Sequence, residues 1–390
     1  MDTERLDRTR SAMREAELDA LVCRLPANVL LLSGHWPLIG WSFLFFPIEG
    51  KPTIAVPHCD EREAREELWE ADCVPFLFGV LAGGDPYEAV ANTLRDAATA
   101  KPCKRIGYEG GFECVAPPWN AAEPAIPAAA TRDLLGSVFG ADALVDATGL
   151  LNGLRARKTP AEQEKLRVVN EIAAIGLGAF MEHVEVGVTG LDLVTRVEGR
   201  IMLKGTGHRG ARRVRAFAQV STGPEETVVG YRPMEISTHR KLEKDDIALL
   251  ELAVVADGFW SDRTRPAVAG GASARKREVF DLVVRAQEAA IAAVKPGATA
   301  GEVDEAARSV IRAGGYDKEF LHVTGHGLGL RYHEPVPTIL PGGSEVLAEG
   351  MLHTVEPGLY MEGFGGIRVE DNVLVTAAGS EVLGPFPKEI

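Results

Sequence analysis

The sequence predicts a mixed α/β (α+β) chain in two domains, residues 1–153 and a larger one over 154–390. Three observations predict it. Helix-like and strand-like stretches alternate through the first part of the chain, as in α/β domains. A well-marked helix start follows at Thr159. Beyond it, two short segments 110 residues apart superpose. A chain of 390 residues also has the length for two cores.

Taken in order, "TERLDRTRSAMREAEL" reads as a helix and "DALVCRL" as a strand. "WSFLFFPIEGKPTIAVP" reads as a hairpin-like strand pair, and "EREAREELWEAD" as a second helix. "CVAPPWNAAEPAIPAAATRD" is loop-like, and "VDATGLLNGLRARKTP" reads as the domain connection. Thr159, Pro160 and Glu162 then form a capping box with proline at the first helical position. The helix it opens runs through "AEQEKLRVVNEIAAIGLGAFMEHV".

The superposing segments are "VEVGVTGLD" (184–192) and "VKPGATAGE" (294–302), which align Gly187 with Gly297, Thr189 with Thr299 and Asp192 with Glu302. Both Thr–acid pairs are capping-box starts after a long amphipathic helix. Two readings are open: coincident helix caps, or a duplicated α/β half-domain. A strand-rich stretch with two carboxylates follows each copy, which favours duplication.

A net charge of −14 argues against a general nucleic-acid binder and against anionic membrane surfaces. The opening "MDTERLDRTR" is too charged for a signal peptide, and "LLLSGHWPLIGWSFLFFP" is too interrupted to span a membrane. The expectation is a soluble cytoplasmic protein without nucleic-acid or membrane partners. Cys23, Cys59, Cys73, Cys103 and Cys114 lie in the first third with no CxxC spacing, which predicts free buried thiols. A metal in the larger domain would then rest on His, Asp or Glu.

The stretch "LLELAVVADGFWSDRTR" (249–265) carries the first acid pair. Asp257-Gly258 between apolar runs is a hairpin signal. A two-residue turn there pairs Ala253 with Asp262 and puts Glu251 on the face of Asp262, with Cα atoms roughly 7–8 Å apart. Two such acids are either solvated on an edge hairpin or gathered around a positive charge. Downstream, "LHTVEPGLY" and "GGIRVEDNVLV" read as strands joined by "MEGFGG", and a hairpin centred near Gly363 sets Glu356 close to opposite Glu370. Upstream of these, "FLHVTGHGLGLRYHEP" holds His322, His326 and His333. A histidine amid glycines suggests exposed backbone open to a ligand. Four acids and a histidine suit two hard or borderline divalent cations, Mn²⁺ best, with Co²⁺, Zn²⁺ and Fe²⁺ as alternatives. His353 falls on the opposite strand face from Glu356 and reads as structural, as do Glu334 and Asp371 beside the candidate residues.

With an acid pair eleven apart, "TGHGLGL..HEP", "TVEPG" and "GIRVED" in this order, the chain resembles the creatinase, aminopeptidase P, prolidase and methionine aminopeptidase superfamily. These are the M24 "pita-bread" metallopeptidases. The resemblance implies a creatinase-type N-terminal domain and a pseudo-symmetric pita-bread domain. It implies metal ligands at Glu251, Asp262, His326, Glu356 and Glu370, with Glu356 also the general base. It implies substrate contacts from His333 and His322, and a homodimer. Arg368 shares a strand face with Glu370 and is expected to orient it.

Three positions depart from the family pattern. Glu251 stands where the peptidases have Asp, which moves the carboxylate by roughly 1.5 Å. Gly230 or Met234 falls where proline-specific members carry a substrate-binding histidine, with His239 out of register, and "DRTRP" carries Pro266 in place of Thr. The leading expectation is an amide hydrolase acting on a small peptide, most simply an Xaa-Pro dipeptidase or aminopeptidase. The alternatives are a creatinase- or ectoine-hydrolase-like C–N hydrolase of a small molecule, with one metal or none, and a non-catalytic binding module.

Overall fold

The structure is a computed structural model that describes residues 1–80, 84–99, 103–111, 129–231 and 237–390. Cys114, Met234 and most of the loop-like 114–133 stretch lie outside the described residues. The described chain divides into two compact units, one ending at Arg155 and one beginning at Ala156.

The first unit carries six strands: β1 (Ala20–Cys23), β2 (Phe43–Pro47), β3 (Thr53–Pro57), β4 (Asp72–Phe76), β5 (Ile106–Tyr108) and β6 (Leu144–Asp146). They form one sheet in the order β4-β3-β2-β1-β5-β6. The β2–β3 pair is the antiparallel hairpin the sequence predicts, while β3–β4, β1–β5 and β5–β6 are parallel. The helices are α1 (Thr3–Glu15), α2 (Pro26–Ser33), α3 (Glu61–Glu67), α4 (Pro86–Thr99), α5 (Ala129–Phe139) and α6 (Thr148–Ala156). Helix α6 and strand β6 occupy the stretch expected to be a plain connection. Leu151 and Leu154, three residues apart and both buried, give α6 its inward face. The thiol expectation also needs correction: Cys23 is buried, Cys73 and Cys103 are half-buried, and Cys59 is exposed.

The second unit is built twice over. Helices α7 (Pro160–His183) and α8 (Gly190–Gly205) precede β7 (Val214–Thr222), a short α9 (Gly223–Thr227), β8 (Ile247–Ala256) and β9 (Phe259–Val268). Helices α10 (Ala274–Ala293) and α11 (Ala300–Ala313) precede β10 (Gly325–Gly327), β11 (Glu334–Ile339) and β12 (Leu352–Val355). Strands β13 (Gly358–Met361), β14 (Gly365–Arg368), β15 (Asp371–Thr376) and β16 (Gly379–Val382) complete it. Thr159, Thr189 and Thr299 all close full capping boxes. Thr189 and Thr299 also make equivalent isolated bridges, to Lys241 and Val346. The duplicated half-domain is therefore the correct reading of the repeat.

One sheet is β7-β8-β9 and another is β11-β10-β12-β15-β16, with β13–β14 a separate hairpin. An antiparallel bridge between Thr264 and Glu370 links the two halves. The second core lies between α10–α11 and the strands, with Val283, Ala286, Val303, Ile311, Val355, Val369 and Val373 among its buried residues.

Candidate metal centre

The β8–β9 hairpin turns at Asp257 and Gly258, both at positive φ (49° and 87°), as a primed two-residue turn requires. Its register pairs Ala253 with Asp262 and Glu251 with Thr264. The two acids thus share a face, as the sequence predicts. Neither is a solvated edge acid: Asp262 is buried and only 21% of the Glu251 side chain is exposed.

The second pair comes from a hairpin that changes partners midway. Each of the two long strands expected around "MEGFGG" is broken in two, at Glu356-Pro357 and at Val369-Glu370. The inner parts pair as β13–β14 with Gly358 opposite Arg368, and the outer parts as β12–β15 with Val355 opposite Asp371. Both breaks carry an acid, and Glu356 and Glu370 face each other across them.

His326 sits on β10, between β11 and β12. The glycines around it do not mark exposed backbone, contrary to the sequence expectation. A Cβ on Gly325 would meet the Thr354 carbonyl oxygen at 2.0 Å, and one on Gly327 the Val336 carbonyl oxygen at 2.3 Å. They are glycines because neighbouring strands approach closely. The His326 Nδ1 lies 2.9 Å from the Gly327 carbonyl oxygen, which only accepts, so Nδ1 carries the hydrogen. Nε2 is the nitrogen turned toward the acids, 3.4 Å from Asp262 Oδ2 and 3.6 Å from Glu356 Oε1. A metal-ligating histidine is fixed in this way.

Three sets of donors lie within 4.8 Å of one another, a spacing suited to a cation: Asp262–His326–His333, His326–Glu356–Glu370 and Glu251–Asp262–Glu370. Burial and the neighbouring Glu251 and Glu356 charges push Asp262 well above the usual carboxylate range. Burial and the charges of Asp262 and Glu356 do the same to Glu370. Burial also raises Glu356, against the pull of His326 and Arg368. Glu251 alone is held low: burial works to raise it, and the Arg368 guanidinium overcomes that. Glu370 Oε1 is buried without a hydrogen-bond partner. An orphaned carboxylate oxygen among crowded acids fits a divalent cation.

Arg368 departs from expectation in its partner. It pairs with Glu251, not Glu370, and Nε donates to Thr264 Oγ1 at 3.0 Å. Thr264 is the link to Glu370, donating from Oγ1 to Oε2 at 2.6 Å. Nη1 of Arg368 donates to the Tyr360 hydroxyl at 2.7 Å and to the Gly230 carbonyl at 2.9 Å. The Tyr360 hydroxyl in turn lies 3.0 Å from His322 Nε2, while His322 Nδ1 donates to the Val323 carbonyl at 2.8 Å. Burial first, and then the Arg368 charge, push His322 down to about 3, so it stays neutral. His353 donates from Nδ1 to the Thr354 carbonyl at 2.8 Å, and burial pushes it down to about 4. Asp371 faces away from the acids and pairs with Arg263 and Arg265 at 2.6 and 2.7 Å.

A pocket of about 150 Å³ opens onto these groups. Glu251, Asp262, His322, His326, His333, Glu356 and Arg368 line it, with Tyr231, Leu249, Val323 and Tyr332 adding apolar surface. Sequence reasoning missed Thr264, Tyr332 and Tyr360. Only Tyr332 and Tyr360 had any signal, as aromatics one residue before His333 and four after Glu356.

Residues 164–377 match the profile of metallopeptidase family M24. The chain belongs to that family. Residues 5–157 match the creatinase/prolidase N-terminal domain. An Xaa-Pro dipeptidase from Lactobacillus helveticus is 29% identical over 343 residues, 88% of this chain and 85% of that protein. The Xaa-Pro dipeptidase of Pyrococcus furiosus is 28% identical over 388 residues, 99% of each chain. The crystal structure of the prolidase from Pyrococcus horikoshii OT3 superposes with a TM-score of 0.80 at 25% identity, covering 99% of both chains. M24 enzymes are dinuclear metallopeptidases, and this member is an enzyme, a metal-dependent peptidase of the pita-bread fold. No helix among the described residues is long and apolar enough to cross a membrane.

Proposed function

We propose that this M24 peptidase is an Xaa-Pro dipeptidase or aminopeptidase that hydrolyses the amide bond before proline in a small peptide. The gathering of Glu251, Asp262, Glu356, Glu370 and the Nε2 of His326 in one cluster, four of them lining one small pocket, carries the reading. The printed activities of the relatives support it. These five residues hold two divalent cations, Mn²⁺ first among them for an oxygen-rich donor set. Such cations acidify water and polarise a carbonyl. The same reading takes residues 1–153 as the N-terminal domain and 154–390 as the catalytic domain. It expects a homodimer in the cytoplasm.

The residues then divide the work. Glu356 is the general base, and the Thr354 hydroxyl donating to Oε1 at 2.8 Å sets its orientation. His322, held neutral in its hydrogen-bonded place, and His333 face the substrate and the developing oxyanion. His333 stands beside His326 with ring centroids 4.0 Å apart. Arg368 does its work through Glu251, which it orients and neutralises.

The test is metal analysis of the purified protein together with an Xaa-Pro dipeptide assay in added Mn²⁺. Cleavage with at least about one bound equivalent is expected. Less than about one equivalent and no cleavage overturns the reading. A second reading keeps the metal and changes the substrate to a small-molecule C–N bond. The slot at Gly230 or Met234 favours it, since neither residue carries an imidazole, and the Gly230 carbonyl is bound to Arg368. Bound metal without peptide cleavage would select that reading.

A further inference from the structure

Glu251 and Asp262 share a hydroxyl. The Tyr332 phenol oxygen lies 2.9 Å from Glu251 Oε1 and 3.0 Å from Asp262 Oδ1. The other oxygen of Glu251 is also engaged, by the Arg368 guanidinium. Both oxygens of this acid thus have a hydrogen-bond partner. Glu370 differs, for its Oε1 has no hydrogen-bond partner. A cation at the Glu370 end meets an oxygen that is free to ligate. A cation at the Glu251 end must win its oxygens from a hydroxyl or a guanidinium.

Tyr332 is rigidly placed for this. Its ring is buried, 5.6 Å from the Trp260 ring and 4.5 Å from that of His333. The phenol has one proton to donate and two carboxylates within reach. A phenolate beside four acids would add to their repulsion, so the group serves as a neutral donor and not as a fifth anionic ligand. The length of Glu251 belongs to the same arrangement. An Asp at this position would end about 1.5 Å short, beyond hydrogen-bond reach of the hydroxyl.

We propose that Tyr332 is a positioning residue that clasps Glu251 to Asp262 and competes with the divalent cation held at that end of the cage. The clasp rests on the metal-centre reading above and makes the Glu251 end the weaker of the two positions. Breaking it raises cation affinity there, because a hydrogen bond to a charged acceptor no longer has to be given up. A bond of that kind corresponds to roughly tenfold or more in a binding constant.

The experiment is calorimetric titration of Mn²⁺ into the full-length chain, stripped with a chelator, for the wild type and Tyr332→Phe. Thermal unfolding is followed with and without saturating Mn²⁺. The wild type is expected to show a tighter and a weaker event, and Tyr332→Phe to tighten the weaker one by about tenfold or more. The variant is also expected to melt lower than the wild type when stripped and level with it when saturated. Glu251→Asp, which withdraws the carboxylate from the clasp, is expected to tighten the same event. It decides the matter if circular dichroism shows Tyr332→Phe misfolded. An unchanged or weakened second event overturns the clasp while leaving the metal centre standing. No Mn²⁺ binding by either protein overturns the metal-centre reading itself.

Discussion

Glu370 and Asp371 are adjacent, both are buried, and they have opposite surroundings. Asp371 faces Arg263 and Arg265 at 2.6 and 2.7 Å and receives a hydrogen bond from Gln287 at 3.2 Å. Burial works to raise it, and the two guanidiniums outweigh that and hold it below the usual range. Glu370 faces three other carboxylates and is pushed up by burial and by their charge. On one face of the strand the chain supplies the counter-charge. On the other it supplies acids with too little compensation, as a site that takes its positive charge from solution must.

The largest effect expected is on turnover. Glu356→Gln removes the proposed base and keeps the shape, so kcat should fall by about 10²- to 10⁴-fold with an unchanged circular dichroism spectrum. Steady-state kinetics on an Xaa-Pro dipeptide checks this, and a loss below about tenfold would remove Glu356 from the chemistry.

Next in size is the contrast between the adjacent acids. Asp371→Asn leaves two buried guanidiniums facing a neutral amide and should cost about 3–5 kcal/mol of stability. Glu370→Gln relieves repulsion, so the chelator-stripped protein should be as stable as the wild type or more so. Its cation affinity should nevertheless drop by more than about tenfold. Urea unfolding and metal titration of both variants separate the roles. A Glu370→Gln protein that unfolds as readily as Asp371→Asn would erase the distinction.

The first unit offers a milder comparison. His35 is fully buried, with Nδ1 2.8 Å from Glu67 and Nε2 3.2 Å from Asp60. Burial works against the imidazolium, and the hydrogen bonds and charges of Asp60 and Glu67 overcome it and raise its pKa. A raised folded value means that this contribution is complete below the unfolded value of about 6.5. It is then lost as pH climbs through the folded value. Between about pH 6 and pH 9, with Mn²⁺ saturating, the wild type should lose more stability than His35→Gln. Parallel losses in urea unfolding would mean that His35 is not the titrating group.

Much of this was legible in the sequence because it rests on local rules. Asp257-Gly258 fixed the turn, and the turn fixed which face Glu251 and Asp262 share. Thr159, Thr189 and Thr299 announced three helices and the duplication. What escaped was decided by contacts between distant strands. Arg368 alternates onto the face of Glu370, yet its guanidinium reaches Glu251, which is 117 residues away in sequence. Tyr332 carries no mark distinguishing a clasp from a packed aromatic. The glycines around His326 looked like open backbone because the strands crowding them come from residues 336 and 354.

The smallest effect expected is at the caps. Thr299→Ala should cost about 1 kcal/mol and leave turnover unchanged, since the capping box of α11 touches none of the acids.

The most direct test of the central claim is anomalous diffraction from crystals grown in Mn²⁺, recorded at the manganese edge. The account predicts a strong peak at ligand distance, about 2.0–2.3 Å, from His326 Nε2, Glu356 and Glu370. It predicts a weaker one between Glu251, Asp262 and Glu370. A map without a peak among these five residues, from crystals that hold Mn²⁺ at saturating concentration, would contradict it.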